Sequence, residues 1–561
     1  MQNSYLNMNK TTSFKKLSNL ITSEKKEISN IYVFAVLSGI IQLSLPLGVQ
    51  SIIGFVLSGT FSTSLMVLIS LVITGVLSAG LLQIQQMKII EKIQQKIFHK
   101  YAFLFKTSLL DIDLKQADDT YLPEIMNRFL DVSTLQKGLT KILLDIPLAS
   151  IQIILGILIV AMYHPLFLIL VLIMLIIIAV IFYITTKKGL ETSIKESSYK
   201  YETTGWLEEM ARLIHHFKMH RTHQLSLSKM DQKVNHYLDY RTKHFNILLF
   251  QFKNLVFLKI MITATMLFVG TYLLINQQLN VGQFVAAEII ILTMISSVEK
   301  IIINLDTFYD MLTSLDKLHT IEKQPSEMSG DYSISNLNNG IDIEFAQVNY
   351  SYLENNLVFD QFSFKINAGE KIAIVGKDGS GKSTLLRLFS TLYKPSQGSI
   401  LLNQIPLNNL NLNQVREHIG IMFNRLDIFS GTITENIAFG NASITFQDII
   451  HFSKLIGLEA FINDLPFGME TFIDTTGKKL PRSVIKKILI LRAIVNQPAL
   501  ILLEEPFSDL EEDSIELIED TLLNHLPNST VIVVSNEKSF NQKCDKTFNL
   551  ADKKLTIISN K

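Results

Sequence analysis

A glycine-rich stretch at residues 376–384 has the residue types and the spacing of a loop that binds phosphate. An apolar run, 371–375, precedes it and a helix-like run, 385–393, follows it, which is the setting that the motif G-x-x-x-x-G-K-[ST] requires. Glycines let backbone N–H groups surround phosphate oxygens, and the N-terminus of the following helix adds positive potential. The stretch contains Gly376, Lys377, Asp378, Gly379, Ser380, Gly381, Lys382, Ser383 and Thr384. We therefore predict phosphate binding here, with Lys382 as a point charge and Ser383 as a ligand of Mg²⁺.

A second candidate lies where the apolar run 500–503 ends in two carboxylates, Glu504 and Glu505. The surrounding stretch, 478–513, has the pattern of a core that hydrolyses a nucleotide, although several polar groups that such a core uses are replaced. Three possibilities are open from this pattern. The chain hydrolyses ATP, only binds it, or does neither.

Length and composition indicate the domain organisation of the chain. At 561 residues the chain is too long for one ordinary domain,. Its composition is 48% hydrophobic with a mean hydropathy of +0.29, and the apolar residues are concentrated before residue 305, which predicts a membrane part followed by a soluble part. Lys+Arg and Asp+Glu are 51 each, so nothing favours a nucleic-acid partner,. Cys544 is the only cysteine, which excludes intrachain disulfides and multi-cysteine metal sites,.

Six apolar runs are long enough to span a bilayer, because a hydrocarbon core of about 30 Å needs about 20 residues of helix. The first begins near residue 31 and is long enough to stay in the membrane, so we expect no processed signal peptide. The runs are 31–57, 64–85, 140–163, 165–185, 247–276 and 283–305. The short connectors carry no Lys or Arg, whereas the N-terminal segment and the connectors 86–139 and 186–246 are rich in basic residues, most of them Lys. The positive-inside rule then places both termini and both long connectors in the cytoplasm. Six spans alone are equally typical of other transporters and of channels.

Ionisable residues are few within the predicted spans, and four of them are considered as candidates for function. Lys253 and Lys259 lie in the fifth run, and Glu288 and Glu299 lie in the sixth. Charges inside a membrane are candidates for function. Positions near a helix end or facing a partner subunit would also explain them, so their role stays open.

Taken together, these motifs resemble the half-transporters of the ABC exporter superfamily, over essentially the whole chain. The resemblance also rests on "VNYSY", whose Tyr352 matches the aromatic that stacks on adenine, and on residues 416–440, which look like the segment between phosphate loop and signature. Residues 123–132 and 206–221 resemble the two cytoplasmic coupling regions of the family. The uncharged external loops and the sixth span are most similar to the type I secretion and peptide-exporting branch.

The resemblance implies a six-helix transmembrane domain of type I ABC exporter fold followed by an α/β P-loop nucleotide-binding domain. The expected domains are a transmembrane domain at 1–322, a linker at 323–340 and a nucleotide-binding domain at 341–561, with a β-rich N-terminal subdomain and a helical insert near 430–480. It further implies ATP and Mg²⁺ as cofactors, with Glu505 as general base.

Several positions depart from the family pattern. The signature, usually LSGGQ, aligns with Leu480, Pro481, Arg482, Ser483 and Val484. Pro481 lacks an N–H group, and Arg482 and Val484 replace residues that approach the phosphate closely in the family. We expect this cap on the partner's ATP to be lost; the alternative is that Arg482 itself contacts phosphate.

Three further departures concern the metal and the attacking water. Glu504 stands where the family has an aspartate that addresses Mg²⁺, and Asn424 stands at the Q-loop position, where a glutamine is expected. One side chain is longer and the other shorter, so the two can compensate and keep a displaced Mg²⁺ site. Asn536 replaces the switch histidine and carries no titratable proton. The glutamate that precedes the signature in the family is replaced by Thr475.

The expected function is therefore that of a subunit of a dimeric ABC exporter that binds ATP and moves a peptide, protein or hydrophobic cargo out across the bacterial cytoplasmic membrane. Hydrolysis is expected to be impaired unless a partner subunit completes the site. The alternatives are an ATP-sensing regulatory or scaffold protein and a lipid or drug flippase. Both homodimer and heterodimer are open, and the branch resemblance implies a periplasmic adaptor and an outer-membrane duct as partners.

Overall fold

The structure is a computed structural model that describes residues 10–57, 59, 62–118, 121–219, 224–335, 337, 339–352, 357–474, 477 and 480–560. The chain divides into two compact units. The first unit comprises Met1–Leu110 and Tyr121–Gln324, and the second comprises Asp111–Thr120 and Pro325–Lys561. The segment 111–120, which lies in the first predicted connector, thus belongs to the second unit.

Helices, most of them long, form the first unit. They are α1 (Lys10–Ser23), α2 (Lys25–Gln42), α3 (Ser44–Leu57), α4 (Thr63–Leu110), α6 (Leu122–Asn127), α7 (Asp131–Tyr163), α8 (Pro165–Arg212), α9 (Ile214–Met219), α10 (Gln224–Ile275) and α11 (Val281–Leu318), while the short α5 (Leu114–Ala117) lies in the second unit. Six helical regions among the described residues are long and apolar enough to cross a membrane, by length and composition. The prediction of six spans is confirmed. Several helices extend well beyond their apolar part, since the 52 residues of α10 rise about 78 Å at about 1.5 Å per residue.

The first predicted span is not one continuous helix. It consists of α2 and α3, which are separated at Leu43. Pro46 follows three residues later and has no N–H group to donate to the carbonyl of Gln42, which explains the interruption. By contrast, α7 contains Pro147 and continues through it.

The helices of the first unit pack in pairs, with α11 along α7, α8 along α10, and α2 along α4. A buried apolar core joins α7, α8, α10 and α11. Many apolar side chains on the outer faces are exposed, such as Phe268 at 80%, as a surface that faces lipid requires. Of the four candidate charges in the fifth and sixth spans, Lys259 and Glu299 form an ion pair of 3.3 Å between α10 and α11, whereas Lys253 is exposed and Glu288 is half-buried.

The two predicted coupling regions are helical where they are described. Residues 123–132 lie in α6, in a short turn of 3-10 helix and at the start of α7. Residues 206–219 form the end of α8 and α9, and positions 220 and 221 lie outside the described residues.

The second unit contains the strands and the remaining helices. The strands are β1 (Ile343–Ser351), β2 (Leu357–Ile366), β3 (Lys371–Val375), β4 (Gln397–Leu402), β5 (Ile405–Pro406), β6 (Ile419–Met422), β7 (Gly431–Thr432), β8 (Phe472–Ile473), β9 (Leu500–Glu504), β10 (Thr530–Val534), β11 (Lys546–Ala551) and β12 (Lys554–Asn560). The helices are α12 (Lys382–Phe389), α13 (Leu412–Glu417), α14 (Ile433–Ala438), α15 (Phe446–Leu455), α16 (Glu459–Asn463), α17 (Arg482–Ile494), α18 (Glu512–Asn524) and α19 (Lys538–Lys543).

A six-stranded sheet is the centre of this unit, with the order β12-β11-β3-β10-β9-β6. All its pairs are parallel except β11 with β12. A second sheet has four antiparallel strands in the order β2-β1-β4-β5. Helices α14, α15 and α16 lie between β6 and β9 in the chain. Because β3, β10, β9 and β6 are neighbours and run the same way, the residues that follow these strands meet at one edge of the sheet.

Candidate nucleotide-binding site

The glycine-rich stretch forms a loop between β3 and α12. Gly379 and Gly381 have φ angles of +78° and +102°, a region that favours glycine because other residues are strained there. Gly381 is the N-cap of α12 and offers no side chain to the first N–H groups of the helix. A Cβ atom on Gly376 would lie 2.6 Å from the carbonyl oxygen of Leu550. The loop therefore needs glycine at these positions, and its helix end presents free N–H donors of the kind that bind phosphate.

Lys382 lies over this loop and is only 11% exposed. Its Nζ donates hydrogen bonds to the carbonyl oxygens of Gly376 (2.6 Å) and Lys377 (3.0 Å). The carboxylate of the exposed Asp378 is 3.9 Å away. The ammonium is thus held at the loop by neutral backbone carbonyls, and a negatively charged phosphate group would be a stronger partner for it.

Three residues predicted to address the metal meet at the sheet edge. Ser383 Oγ donates a hydrogen bond to Glu504 Oε1, and the backbone N–H of Asn424 donates to Glu504 Oε2 at 3.0 Å. The longer carboxylate therefore bridges the phosphate loop and the segment that follows β6. Asn424 takes part through its backbone, so the proposed compensation by its shorter side chain stays a prediction.

The donor set of this corner fits Mg²⁺, which prefers oxygen ligands and usually takes one or two carboxylates plus the phosphates of a substrate. Ser383 and Glu504 supply a hydroxyl and a carboxylate beside the phosphate loop. Within the described part of the chain, no group of three or more His, Cys, Asp or Glu residues could hold a metal ion. A metal here would thus depend on these two side chains and on a bound nucleotide.

Glu505 follows β9 and is tied to the end of β10. Its N–H donates to the carbonyl of Val534 at 2.8 Å, and its Oε2 accepts a hydrogen bond from Ser535 Oγ at 3.4 Å. Burial raises the pKa of Glu505, while Lys382 and Lys486 act in the opposite direction. A carboxylate with a raised pKa is a better proton acceptor than an ordinary one. Asn536, the next residue after Ser535, is exposed.

Tyr352 lies beside α12, and the residue is 43% exposed. Its hydroxyl shares a hydrogen bond of 2.8 Å with the hydroxyl of Thr384 and accepts one from Arg387 Nη1 at 3.3 Å. The ring packs edge-on against Tyr350 and Tyr393. The aromatic predicted to stack on adenine is therefore fixed next to the phosphate loop with ring surface exposed.

Sequence reasoning missed a contact of this aromatic group with the segment 111–118, which lies in the same unit. Tyr393 donates a hydrogen bond to Asp118. The ammonium of Lys115 lies 4.7 Å from the centre of the Tyr350 ring and donates to Ser396 at 3.0 Å. Burial, followed by the bond to Asp118, raises the pKa of Tyr393. No signal in the sequence links these positions, because more than 200 residues separate them.

The signature position begins α17. Pro481 is the N-cap and makes no side-chain capping bond, and Arg482 is exposed. Val484 is 7% exposed and packs into the apolar core, so it cannot project from the surface as a glutamine would have to. In the described part of the chain, no hydrogen bond or ion pair joins residues 480–484 to the phosphate loop. Thr475 lies outside the described residues.

Two family models match this chain. "ABC transporter transmembrane region" matches residues 28–298, and "ABC transporter" matches residues 359–508. Among curated relatives, the uncharacterized ABC transporter ATP-binding protein YknV of Bacillus subtilis (strain 168) is 28% identical over 286 residues, which is 51% of this chain and 47% of YknV. ABC transporter B family member 14 of Arabidopsis thaliana is 34% identical over 211 residues, which is 37% of this chain and 17% of that protein. The matches thus span less than half the length of these relatives.

The structure of a bacterial Atm1-family ABC exporter with ATP bound is similar to this chain, with a TM-score of 0.83 at 19% identity. The likeness covers 95% of this chain and 94% of that structure. It confirms the predicted fold class, a six-helix exporter domain followed by an α/β P-loop domain. The match to the transmembrane-region model and the six apolar helices together support a multi-pass membrane protein.

Proposed function

The chain belongs to the ABC transporter family as a half-transporter, and on that premise we propose that it is one subunit of a dimeric exporter that binds ATP with Mg²⁺. The observation that carries the proposal is the corner formed by Lys382, Ser383 and Glu504, where a cation, a hydroxyl and a carboxylate meet at one loop. A loop that had lost its ligand would have no reason to keep these three groups together. Tyr352 supports the choice of an adenine nucleotide.

Each residue has a distinct part in this site. Tyr352 stacks on the base, the N–H groups at the start of α12 bind the phosphates, and Lys382 turns from its carbonyl partners to the terminal phosphate. When bound at Ser383 and Glu504, Mg²⁺ supplies positive charge against the phosphate oxygens. Glu505 accepts a proton from the attacking water.

We propose that hydrolysis in this chain is weak. Asn536 offers a hydrogen bond but no titratable proton, and the signature that would cap the partner's ATP has Pro481, Arg482 and the buried Val484. Removing one preorganised donor commonly costs about 10²- to 10³-fold in rate. We therefore expect this protein to bind ATP but to hydrolyse it slowly.

One chain holds half of the helices and half of each composite ATP site, so the working unit is proposed to be a dimer. In a homodimer, both sites would combine Glu504 and Asn536 with the altered signature. In a heterodimer, a partner with an intact signature would complete the phosphate loop of this chain, and hydrolysis would be faster there.

The cargo is proposed to be a peptide, a protein or another hydrophobic molecule, exported across the bacterial cytoplasmic membrane with both termini in the cytoplasm. A periplasmic adaptor and an outer-membrane duct rest on the branch resemblance alone and stay predictions, which purification of the native complex would test. The departures at the signature and at Asn536 favour one alternative, an ATP-sensing scaffold that does not pump. A lipid or drug flippase is a variant of the exporter.

The test is to reconstitute the purified chain in vesicles and to measure ATP binding, ATP hydrolysis and transport separately. Binding of ATP-Mg²⁺ with slow turnover and vectorial cargo movement supports the exporter subunit. Binding without any cargo movement supports the scaffold, and absence of binding refutes both.

A further inference from the structure

Lys486 is a buried cation directly beneath the turn that carries Glu505. The residue lies on α17 and is 2% exposed. Its Nζ donates one hydrogen bond to the carbonyl oxygen of Glu505 at 2.9 Å and another to Ser508 Oγ. Ser508 Oγ in turn donates to the same carbonyl at 3.1 Å. The three groups form a closed hydrogen-bonded triangle.

The backbone that this triangle holds has an unusual conformation. Glu505 has a φ of +47° and Asp509 a φ of +63°, which residues other than glycine rarely adopt. Such strained positions persist only where the surroundings determine them fully, and they cluster at functional sites. The N–H group of Glu505 is bound to Val534 in β10, and its carbonyl is bound by Lys486. The peptide units on both sides of the Glu505 side chain are therefore anchored.

Burying a lysine at this position costs free energy, because the ammonium loses its hydration. The next residue shows how the same helix uses lysine elsewhere. Lys487 Nζ donates to the carbonyl of Gly457 at 2.9 Å, and among the described residues it makes no hydrogen bond to Glu505, Ser508 or the phosphate loop. Lys487 therefore provides a matched control for a lysine that only caps a carbonyl.

We propose that Lys486 is a positioning residue for Glu505. By holding the carbonyl of Glu505 and the hydroxyl of Ser508, it fixes the turn from which the Glu505 carboxylate reaches the terminal phosphate and its attacking water. This inference rests on the proposed role of Glu505 as the base at an ATP site. The proposal also gives the first turns of α17 a function that does not depend on the signature residues. Through Lys486, this helix supports Glu505, the proposed base of the same chain.

The kinetic test compares Lys486→Met, Lys486→Gln and Lys487→Met in the purified full chain. Displacements near 1 Å can cost about a hundredfold in rate. We expect Lys486→Met to lower kcat at least about tenfold while KM for ATP stays within about twofold, the pattern of a group that acts in the transition state. Lys486→Gln keeps N–H donors and should recover part of kcat, and Lys487→Met should leave both constants unchanged.

A second measurement does not need turnover. Hydrogen–deuterium exchange with ATP-Mg²⁺ bound should be faster in the peptide covering 504–511 for Lys486→Met only, with the peptide covering 371–390 unchanged. If the wild-type rate is too low, the kinetic comparison is made in a chain carrying the reversions of Glu504, Asn536 and the signature. If that chain also fails to turn over ATP, the hydrogen–deuterium exchange result alone tests the positioning role of Lys486.

The outcomes separate the inference from its premise. Normal kcat and normal exchange in Lys486→Met overturn the positioning role. A parallel loss of thermal stability, ATP affinity and protection in every peptide also overturns it, because it shows a general structural role. If Glu505→Gln leaves turnover unchanged, the proposed role of Glu505 fails, whatever Lys486→Met does. Loss of turnover in Glu505→Gln with normal Lys486→Met refutes the inference alone.

Discussion

Ser383 and Glu504 are joined by a hydrogen bond from the hydroxyl of one to the carboxylate of the other. The two residues are 121 positions apart in the chain. Ser383 follows β3 and the phosphate loop, Glu504 ends β9, and these two strands flank β10 in the sheet. Glu504 is one methylene longer than the aspartate expected at this position, and its carboxylate still contacts the phosphate loop. The corner that would hold Mg²⁺ is therefore closed by side chains of this chain itself.

This bond predicts that nucleotide binding depends on Mg²⁺ through Ser383. Chelation of Mg²⁺ with EDTA should weaken ATP binding to the wild type, and Ser383→Ala should reduce that difference because one ligand is lost. Isothermal calorimetry at fixed ATP with and without Mg²⁺ measures the effect. Ser390→Ala, whose Oγ bonds only the carbonyl of Arg387 among the described residues, is the control. Equal Mg²⁺ dependence in Ser383→Ala and the wild type would contradict the assignment.

Lys382→Ala should weaken ATP-Mg²⁺ binding by about 10- to 150-fold, because a hydrogen bond to a charged group contributes about 1.5–3 kcal/mol. Its ammonium is held by two backbone carbonyls, so its removal leaves no buried charge. Calorimetry or a fluorescent ATP analogue gives the affinity. Lys365→Ala, an exposed lysine near Asp342 and Glu344, should bind like the wild type. The same affinity in wild type and Lys382→Ala would count decisively against phosphate binding at this loop.

The role of Tyr352 is tested by two substitutions that separate its ring from its hydroxyl. Tyr352→Ala should lose the stacking energy of an aromatic on a base, about 1–3 kcal/mol, and ATP affinity should fall by about 5- to 150-fold. Tyr352→Phe keeps the ring and loses only the bonds to Thr384 and Arg387, so its affinity should remain within a few-fold of the wild type. An unchanged affinity in Tyr352→Ala would exclude the adenine role.

The purified homomeric protein should bind ATP and hydrolyse it very slowly. Glu504→Asp, Asn536→His and the restored signature (Pro481→Ser, Arg482→Gly, Ser483→Gly, Val484→Gln) should together raise the rate at least about a hundredfold. Single reversions should do far less, because groups that act as a unit are not additive. Val484→Gln places a polar side chain at a buried position, so thermal stability must be measured alongside the rate. Brisk wild-type turnover that vanishes in Glu505→Gln would refute this prediction.

The predicted orientation puts the loops around 58–64 and 276–282 outside the cytoplasm. A cysteine at Ser62 or Gln278, in a Cys544→Ser background, should react with an impermeant thiol reagent in whole cells. Gln278 is exposed, and the native Cys544 is buried. Ser228→Cys, in the second long connector, should react only after permeabilisation. Labelling of the loop cysteines only after permeabilisation would reverse the topology.

Much of the architecture could be predicted because it depends on local properties of the chain. The length and apolar character of a run determine whether it can cross a membrane, so six spans were recognised. The interruption of the first span at Leu43 cannot be predicted in this way, because Pro147 shows that a proline in a span does not always break the helix. Which outcome occurs depends on the packing around the proline.

The sequence by itself determined the phosphate loop, because its glycines, Lys382 and Ser383 are contiguous and their chemistry depends on local backbone conformation. Only the tertiary structure decided which distant residues complete the site: Asn424 through its backbone, Ser535 against Glu505, Asp118 against Tyr393, and Lys486 beneath Glu505. The physical reason is that strand order brings Asn424, Glu505 and Ser535 together, while Asp118 and Lys486 reach their partners through the packing of their own segment and helix. Neighbouring parallel strands end at one edge of the sheet, and the order β3-β10-β9-β6 is set by packing of the whole unit rather than by any one segment.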